Sequence, residues 1–562
     1  MNTFRPSALL PVILLLFVLA GYVLYPLAVT IRQSLLTGEG LSFANYASLL
    51  DPSNKGNMEA VWNSVSVSAL SVLFSGVIGT LLAFGLTQIR FPGRTLLARL
   101  AVVPVALPPL VGVIAFLFVF GESGILPRTL QHVLGSVTPP VYLDDIAAIV
   151  AIHVYSFYVY FYLFVSTALR QIDASVLEAA AGLGSSSWNT FRRVILPELR
   201  PSLVGASILT FMASMASFSA PLLFAGGKRF ITLLIYNTKL NGDMHLAAAQ
   251  AMFLTFVAMS FFVAMQLLSG REVRVGRTKG VPRTGTLPLG KGIRSTLIAA
   301  IVLVLVVVLL PLITIIVISF AREGSWTVQI LPAVYTLENY FRLFTDPRVL
   351  EPIRNSLAMG LVALVAVILV GVSGAYLITK GVLRRVRTLM DVILTLPYAI
   401  PGTVIAVSLI LAFNEPNPFS GFRVLVGTFW ILPLAYFIRL YPLVVRSTTA
   451  ALEQLDDALL EAGESFGAGP WRRFRRIALP LIFPGIVSGA LLTVISAIGE
   501  FVSSILLYTY SSRPISVEIL SQLRTFNFGS AAAYCVILLV LILAIVTFSN
   551  RLMKTEYSAN NQ

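Results

Sequence analysis

Two glutamates, Glu178 and Glu461, stand in short segments poor in other charges, Glu178-Ala179-Ala180 and Glu461-Ala462-Gly463. A carboxylate isolated in this way is suited to accepting charge-assisted hydrogen bonds from a cation across an interface. The alternative is an amphipathic helix lying on a bilayer with a solvated glutamate. Three more ionisable residues, Glu500, Arg439 and His153, fall inside long apolar stretches. At bilayer depth a charged group costs about 2.5 to 3.5 kcal/mol on insertion scales and points to function by default. Glu500 and Arg439 carry opposite charges, so a structural ion pair and contact with a transported solute both remain open. For His153 the choice lies between a hydrogen-bonded interior residue and a ligand.

Groups for covalent or hydrolytic chemistry are missing. No phosphate-binding run of Gly-x-x-x-x-Gly-Lys-Ser/Thr occurs, and Gly226-Gly227-Lys228 is followed by Arg229. The chain is therefore not expected to hydrolyse ATP or to act as an enzyme. His132, His153 and His245 are scattered, and the single cysteine, Cys535, lies in the last apolar stretch. Neither metal-ligand spacing nor an internal disulfide follows from such a set.

The elements that must hold these residues are membrane helices. Of 562 residues, 57% are hydrophobic and 12% charged, against about a quarter charged in a soluble domain. Stretches long enough to cross a hydrocarbon core begin near Ala8, Asn63, Ala98, Ile146, Ser202, Leu246, Ser295, Asn355, Thr388, Val424, Gly485 and Ser530. The fold class expected is thus all-α and polytopic, with about twelve transmembrane helices. The net charge of +15 would suit nucleic acid, but the basic residues alternate between loops. Arg90, Arg94 and Arg99 fill one, Arg170, Arg192, Arg193 and Arg200 the next but one, and Lys380, Arg384, Arg385 and Arg387 a third; acids such as Glu122, Asp144 and Asp145 lie between. Cationic loops stay in the cytoplasm, so membrane lipid rather than nucleic acid is the expected partner, and both termini are placed inside.

The polar segment is present twice. Glu178, Gly184, Trp188, Phe191, Leu196, Pro197 and Pro201 recur at one spacing, 283 residues (178 to 461), as Glu461, Gly467, Trp471, Phe474, Leu479, Pro480 and Pro484. Asn63-Ser64 is echoed by Asn355-Ser356, and Pro104 and Pro108 by Pro397 and Pro401. Duplication on this scale divides the chain into a first half at 1–268 with its loop at 170–201, a basic linker at 269–294, and a second half at 295–562 with its loop at 449–484. Six spans restore the starting side, so the halves form a parallel repeat. Thr167 to Ala181 and Thr449 to Glu464 read as helices. A glycine corner at Gly184 or Gly467 permits a positive φ, and a second short helix ends near Pro197 or Pro480. The paired prolines mark either a gate in a solute path or a kink without a transport role.

These loops resemble the Glu-Ala-Ala loop of permease subunits of bacterial binding-protein-dependent ABC importers, and the resemblance covers both halves. Gly182 fills the family's glycine position four residues after the glutamate; Ser465 replaces it in the second copy, where Gly463 also replaces the third motif residue. The resemblance implies a type I importer permease. Glu178, Ala179, Ala180, Gly182, Gly184, Leu196 and Pro197, with Glu461, Ala462, Gly467, Leu479 and Pro480, would seat on two copies of a cytoplasmic ABC ATPase that holds the ATP and magnesium. An extracytoplasmic binding protein would deliver the solute. One permease chain would serve each complex in the bacterial inner membrane. The fused arrangement is similar to the ferric-iron permeases and, less closely, the thiamine permeases, which makes ferric iron the expected cargo, with thiamine, polyamine or phosphonate as alternatives. A proton-coupled secondary carrier is the competing class. Its usual Gly/Asp/Arg-rich loop is not matched by Gln88 to Ala98, which has no acid.

Overall fold

The computed structural model describes residues 9–38, 40–268, 290–380 and 387–559. Residues 269–289 of the expected linker, and Arg384 and Arg385, lie outside the described residues. Within it the chain is helical almost throughout; the only strands among the described residues are the two-residue pair Leu36–Thr37 and Gly40–Leu41. Hydrocarbon dictates this, because a spanning segment must satisfy every backbone N–H and C=O internally. In chain order the elements used below are α1 (Ile13–Leu35), α2 (Lys55–Gln88), α3 (Pro109–Phe120), α4 (Asp145–Gln171), α5 (Ala174–Gly182), α6 (Leu196–Met215), α7 (Met244–Leu268), α8 (Lys291–Ser319) and α9 (Pro347–Thr379). They continue as α10 (Arg387–Ala399), α11 (Gly402–Phe413), α12 (Ile431–Gln454), α13 (Asp457–Ser465), α14 (Leu479–Ile498), α15 (Ile515–Arg524) and α16 (Phe528–Ala559).

Ten helices among the described residues are long and apolar enough to cross a membrane, or eleven when α10 and α11 count as one bent span. The element that brings this towards the expected twelve is α12. Its apolar run is interrupted by Arg439 and Arg446, yet Tyr436, Tyr441, Val444 and Val445 are fully or almost fully buried. A helix surrounded by protein can carry charges that a lipid-facing one cannot.

The chain forms two compact units, one of residues 47–234 and 253–335, the other of 1–46, 235–252 and 336–562. In the first unit α2, α4 and α6 pack against one another, and α3 packs on α8. Small residues set the approach: a Cβ on Gly79 of α2 would lie 2.3 Å from the Tyr158 carbonyl oxygen of α4, a contact open only to glycine. The core of this unit includes Leu82, Ile149, Ile152, Val165 and Leu199, joined by Ile301 and Leu305 from α8. In the second unit α9, α12 and α14 repeat the three-helix packing, and Gly371 takes the place of Gly79: a Cβ on it would lie 2.8 Å from Val444 Cβ. Here α1 runs along α11, with Thr30 Oγ1 donating to Ser408 Oγ at 2.8 Å and the Tyr22 hydroxyl to the Phe419 carbonyl at 2.9 Å. The compact units thus cut across the sequence halves at the leading helices: α1 belongs with α9 to α16, and α8 with α2 to α6.

The repeated Asn-Ser pair has a structural task. Asn63 Nδ2 donates to the Arg229 carbonyl at 3.0 Å, and Ser64 Oγ accepts from the Ile231 N–H at 3.0 Å. Asn355 Nδ2 reaches the carbonyls of Ser511 and Arg513 at 3.2 and 3.1 Å, while Ser356 Oγ accepts from the Ile515 N–H at 2.8 Å. Each pair pins the loop that follows α6 or α14 to the far end of α2 or α9. Asn355→Leu removes both donors and is expected to cost about 1–3 kcal/mol, seen as a lowered Tm in detergent; an unchanged Tm would contradict this role.

Candidate coupling loops and intramembrane pair

Each repeated loop is an elbow built from the same parts. Helix α4 stops at Gln171, and Asp173 then accepts the Ser175 N–H at 2.9 Å to start α5. Asp456 does the same for α13 through the Ala458 N–H at 3.0 Å. A side-chain oxygen placed there satisfies a helix-start donor that has no partner within the helix. The continuous helices expected over Thr167 to Ala181 and Thr449 to Glu464 are therefore broken at these aspartates, because the cap favours a new start over continuation.

Both elbows turn at the expected glycine. Gly184 has φ +75° and Gly467 φ +76°, a left-handed conformation that costs other L-residues about 1–2 kcal/mol. The turn is closed by a six-to-one hydrogen bond in each copy, Ser185 N–H to the Ala180 carbonyl and Ala468 N–H to the Gly463 carbonyl, both at 3.0 Å, the pattern of a Schellman stop. Gly182 lies two residues earlier with open space where a Cβ would sit, so Ser465 is accommodated in the second copy. Gly463, where the first copy has Ala180, leaves room for a larger neighbour: a Cβ there would come within 2.6 Å of Ile477 Cδ1. The position matching Ile477 in the first copy is the smaller Val194. The elbows are closed differently beyond that, by Thr190 Oγ1 to Ser185 Oγ at 3.1 Å in one and by Arg473 to Glu464 at 2.6 Å in the other.

After the corner a short helix, Ser187–Thr190 or Pro470–Arg473, passes through a π-helical turn, Phe191–Ile195 or Phe474–Ala478, directly into α6 or α14. The expected stop near Pro197 and Pro480 does not occur. A proline clashes with the carbonyl four residues before it and leaves that carbonyl without an N–H; the widened turn, with its i→i+5 bonding, sits where this clash would fall. The elbow surface is open. Glu178, Ala179, Glu461 and Ala462 are exposed, as are Leu196, Pro197 and Pro480, while Leu479 is half-buried. Leu183 and Phe466 are 88% and 92% exposed, and Trp188 and Trp471 66% and 71%. An accessible carboxylate beside large uncovered apolar side chains is the composition of a protein-binding face.

Within the membrane region Pro108 and Pro401 stand immediately before α3 and α11, Pro104 lies in the 3₁₀ turn Val103–Ala106, and Pro397 is inside α10. The axes of α10 and α11 differ by 104°, so Pro397 and Pro401 mark a broken helix. Beside the break Arg439 Nη1 donates to Glu500 Oε1 at 2.8 Å. A Cβ on Gly402 would lie 2.3 Å from Arg439 Nη1, so glycine at the start of α11 makes the space for the guanidinium. Glu500 Oε1 also accepts the Ser503 N–H at 3.0 Å, and its main-chain carbonyl accepts from Ser504 and Ser516. The glutamate is 7% exposed and the arginine 30%. The matching residues in the first copy are Ser156 and Ser217, so the charges exist in one copy alone. His153 is buried, with its Nδ1 3.0 Å from Ser71 Oγ and 2.9 Å from Ser214 Oγ.

Asp173 and Asp456, with Phe191 and Phe474, are participants to which the sequence assigns no role, although their recurrence at one spacing is the available signal; Trp188 and Trp471 are legible there as large apolar anchors. Among the described residues no group of His, Cys, Asp and Glu could hold a metal ion.

The model of the family described as "Binding-protein-dependent transport system inner membrane component" matches residues 75–274 and 367–554. Among similar proteins, a probable ABC transporter permease protein, y4fN of Sinorhizobium fredii, is 27% identical over 98% of each chain. The ferric transport system permease protein FbpB of Actinobacillus pleuropneumoniae is 27% identical over 97% of this chain and 78% of its own. The thiamine transport system permease protein ThiP of Brucella abortus is 27% identical over 87% and 86%.

Two outcomes follow from the geometry. Arg439→Met strands the Glu500 carboxylate and is expected to cost up to about 3 kcal/mol, with Arg439→Met/Glu500→Leu recovering much of the loss; equal Tm values for single and double variants would contradict a structural pair. Gly184→Val/Gly467→Val is expected to speed amide exchange at Ser185 and Ala468 by about tenfold or more, given about 1–2 kcal/mol of strain at each corner. Unchanged exchange would show that neither corner needs glycine.

Proposed function

Because the chain belongs to the family of binding-protein-dependent transport system inner membrane components, matched in both halves, we propose that it is the transmembrane part of an ATP-driven importer and that its two elbows seat two copies of a cytoplasmic ABC ATPase. The observation that carries this reading is the duplicated elbow geometry, with Glu178 and Glu461 exposed and the glycine corners at the same φ. Two seats in one chain call for two ATPase subunits and one permease chain per complex. ATP and magnesium belong to those subunits, and an extracytoplasmic binding protein delivers the solute. The alternation of basic loops puts the elbows and both termini in the cytoplasm. Closure of the ATPase pair would then shift the halves between inward- and outward-open states.

Ferric iron is the proposed cargo. It is supported by the FbpB relative, similar over 97% of this chain; the thiamine and 2-aminoethylphosphonate permeases among the relatives mark the nearest alternatives, with polyamine behind them. The proline-marked break at Pro397 and Pro401, with Arg439 and Glu500 beside it, is the candidate gate element of one unit, and Pro104 and Pro108 that of the other, where His153 is hydrogen-bonded to Ser71 and Ser214.

Exchanging the sign of both elbow carboxylates tests the seat. Glu178→Lys/Glu461→Lys is expected to lose copurification of the ATPase by at least about tenfold, the scale of one charge-assisted contact of roughly 1.5–3 kcal/mol, with Tm unchanged. Full assembly of this variant would refute the docking role.

A further inference from the structure

Behind each elbow lies a second duplicated feature, a run of three aromatic rings. Trp188 stacks on Phe191 with centroids 5.7 Å apart and planes at 24°, and Phe191 meets Phe84 of α2 edge-on at 5.9 Å and 88°. In the other copy Trp471 stacks on Phe474 at 5.7 Å and 28°, and Phe474 meets Tyr376 of α9 edge-on at 5.0 Å and 76°. The outer ring is exposed and the middle one half-buried in both. The tryptophan and phenylalanine are three residues apart, neighbours on a helix surface, and the phenylalanine opens the π-helical turn in each copy. Turns of this kind recur at functional sites.

We propose that Phe191 and Phe474 are positioning residues that pass displacement of the elbows sideways into α2 and α9, and through these helices to the loops at their far ends. This rests on the elbows being the ATPase seats. The covalent routes from elbow to membrane lead into α4 and α6, or α12 and α14, through the aspartate-capped break on one side and the widened turn on the other. The aromatic route leads elsewhere. Helix α2 carries Phe84 near one end and Asn63-Ser64 near the other, about 30 Å away at 1.5 Å per residue, where they hold Arg229 and Ile231. Helix α9 carries Tyr376 and Asn355-Ser356 in the same relation, the latter holding Ser511, Arg513 and Ile515. Stacked and edge-on rings have preferred angles, and an aromatic side chain has only two rotatable bonds, so tilting the elbow moves the ring it touches. Gly79 and Gly371 seat α2 and α9 tightly on α4 and α12, which makes each a stiff member.

The test uses the full chain with its copurifying ATPase in nanodiscs, with Cys535→Ala to remove the native thiol and spin labels at Lys228→Cys and Ser511→Cys, both exposed positions in the pinned loops. ATP with vanadate is expected to shift the label-to-label distance in this parent. In Phe191→Leu/Phe474→Leu the shift is expected to fall by more than half while the ATPase still copurifies and hydrolyses ATP; Phe191→Tyr/Phe474→Tyr is expected to restore it. Phe84→Leu/Tyr376→Leu, outside the elbows, provides a second variant with the same expected loss. A full shift in both leucine variants overturns the relay, as does loss of ATPase binding in Phe191→Leu/Phe474→Leu at parental Tm, which would make those rings part of the seat. Failure of the ATPase to copurify with the parent would instead defeat the docking reading and the relay with it.

Discussion

The left-handed turn at Gly184 and Gly467 is the constraint on which the elbows depend. Without it α5 and α13 would continue straight instead of folding back towards α6 and α14. An aspartate cap starts the helix before the turn, a six-to-one hydrogen bond closes the turn, and a π-helical segment carries the chain on through a leucine-proline pair. Each device satisfies backbone groups that the bend would otherwise leave open. The result keeps a carboxylate, a tryptophan and an apolar tip uncovered at one site, twice in one chain.

The two copies share a frame but are not identical in how they are braced. The second elbow has the Arg473–Glu464 pair, and Lys380 binds Asp457 while Arg387 and Glu453 lie 3.2 Å apart. The corresponding residues of the first copy, Gln88, Ala174, Arg94 and Arg170, cannot form those pairs by residue type. The intramembrane charges show the same one-sidedness, with Arg439 and Glu500 replacing two serines. Backbone geometry, the corner glycines and the close approaches at Gly79 and Gly371 are therefore common to both copies, whereas charge has diverged between them.

Much of this was legible in the sequence because duplication acts as an internal control. The glycine corners, the proline-marked breaks and the matched Asn-Ser pairs all recur in both halves, at spacings of 283 (184 to 467), 293 (104 to 397) and 292 (63 to 355) residues. Other features were not legible for physical reasons. The apolar runs of α1 and α8 carry no pattern that distinguishes one neighbouring half from the other, so their membership in the opposite compact unit depends on tertiary contacts such as Thr30 with Ser408. The breaks at Asp173 and Asp456 were missed because an aspartate between good helix formers reads equally as a cap or as a solvated helix residue. The contact between Arg439 and Glu500 joins two helices, and sequence offers their charges but not their distance.

Imaging the purified chain together with its ATPase, in a nucleotide-free and a nucleotide-bound state, tests the central claim most directly. Protein density capping both Trp188 and Trp471, one ATPase subunit on each, is the expected result. Elbows that stand bare in solvent, or sink into the lipid belt, in every state would contradict it.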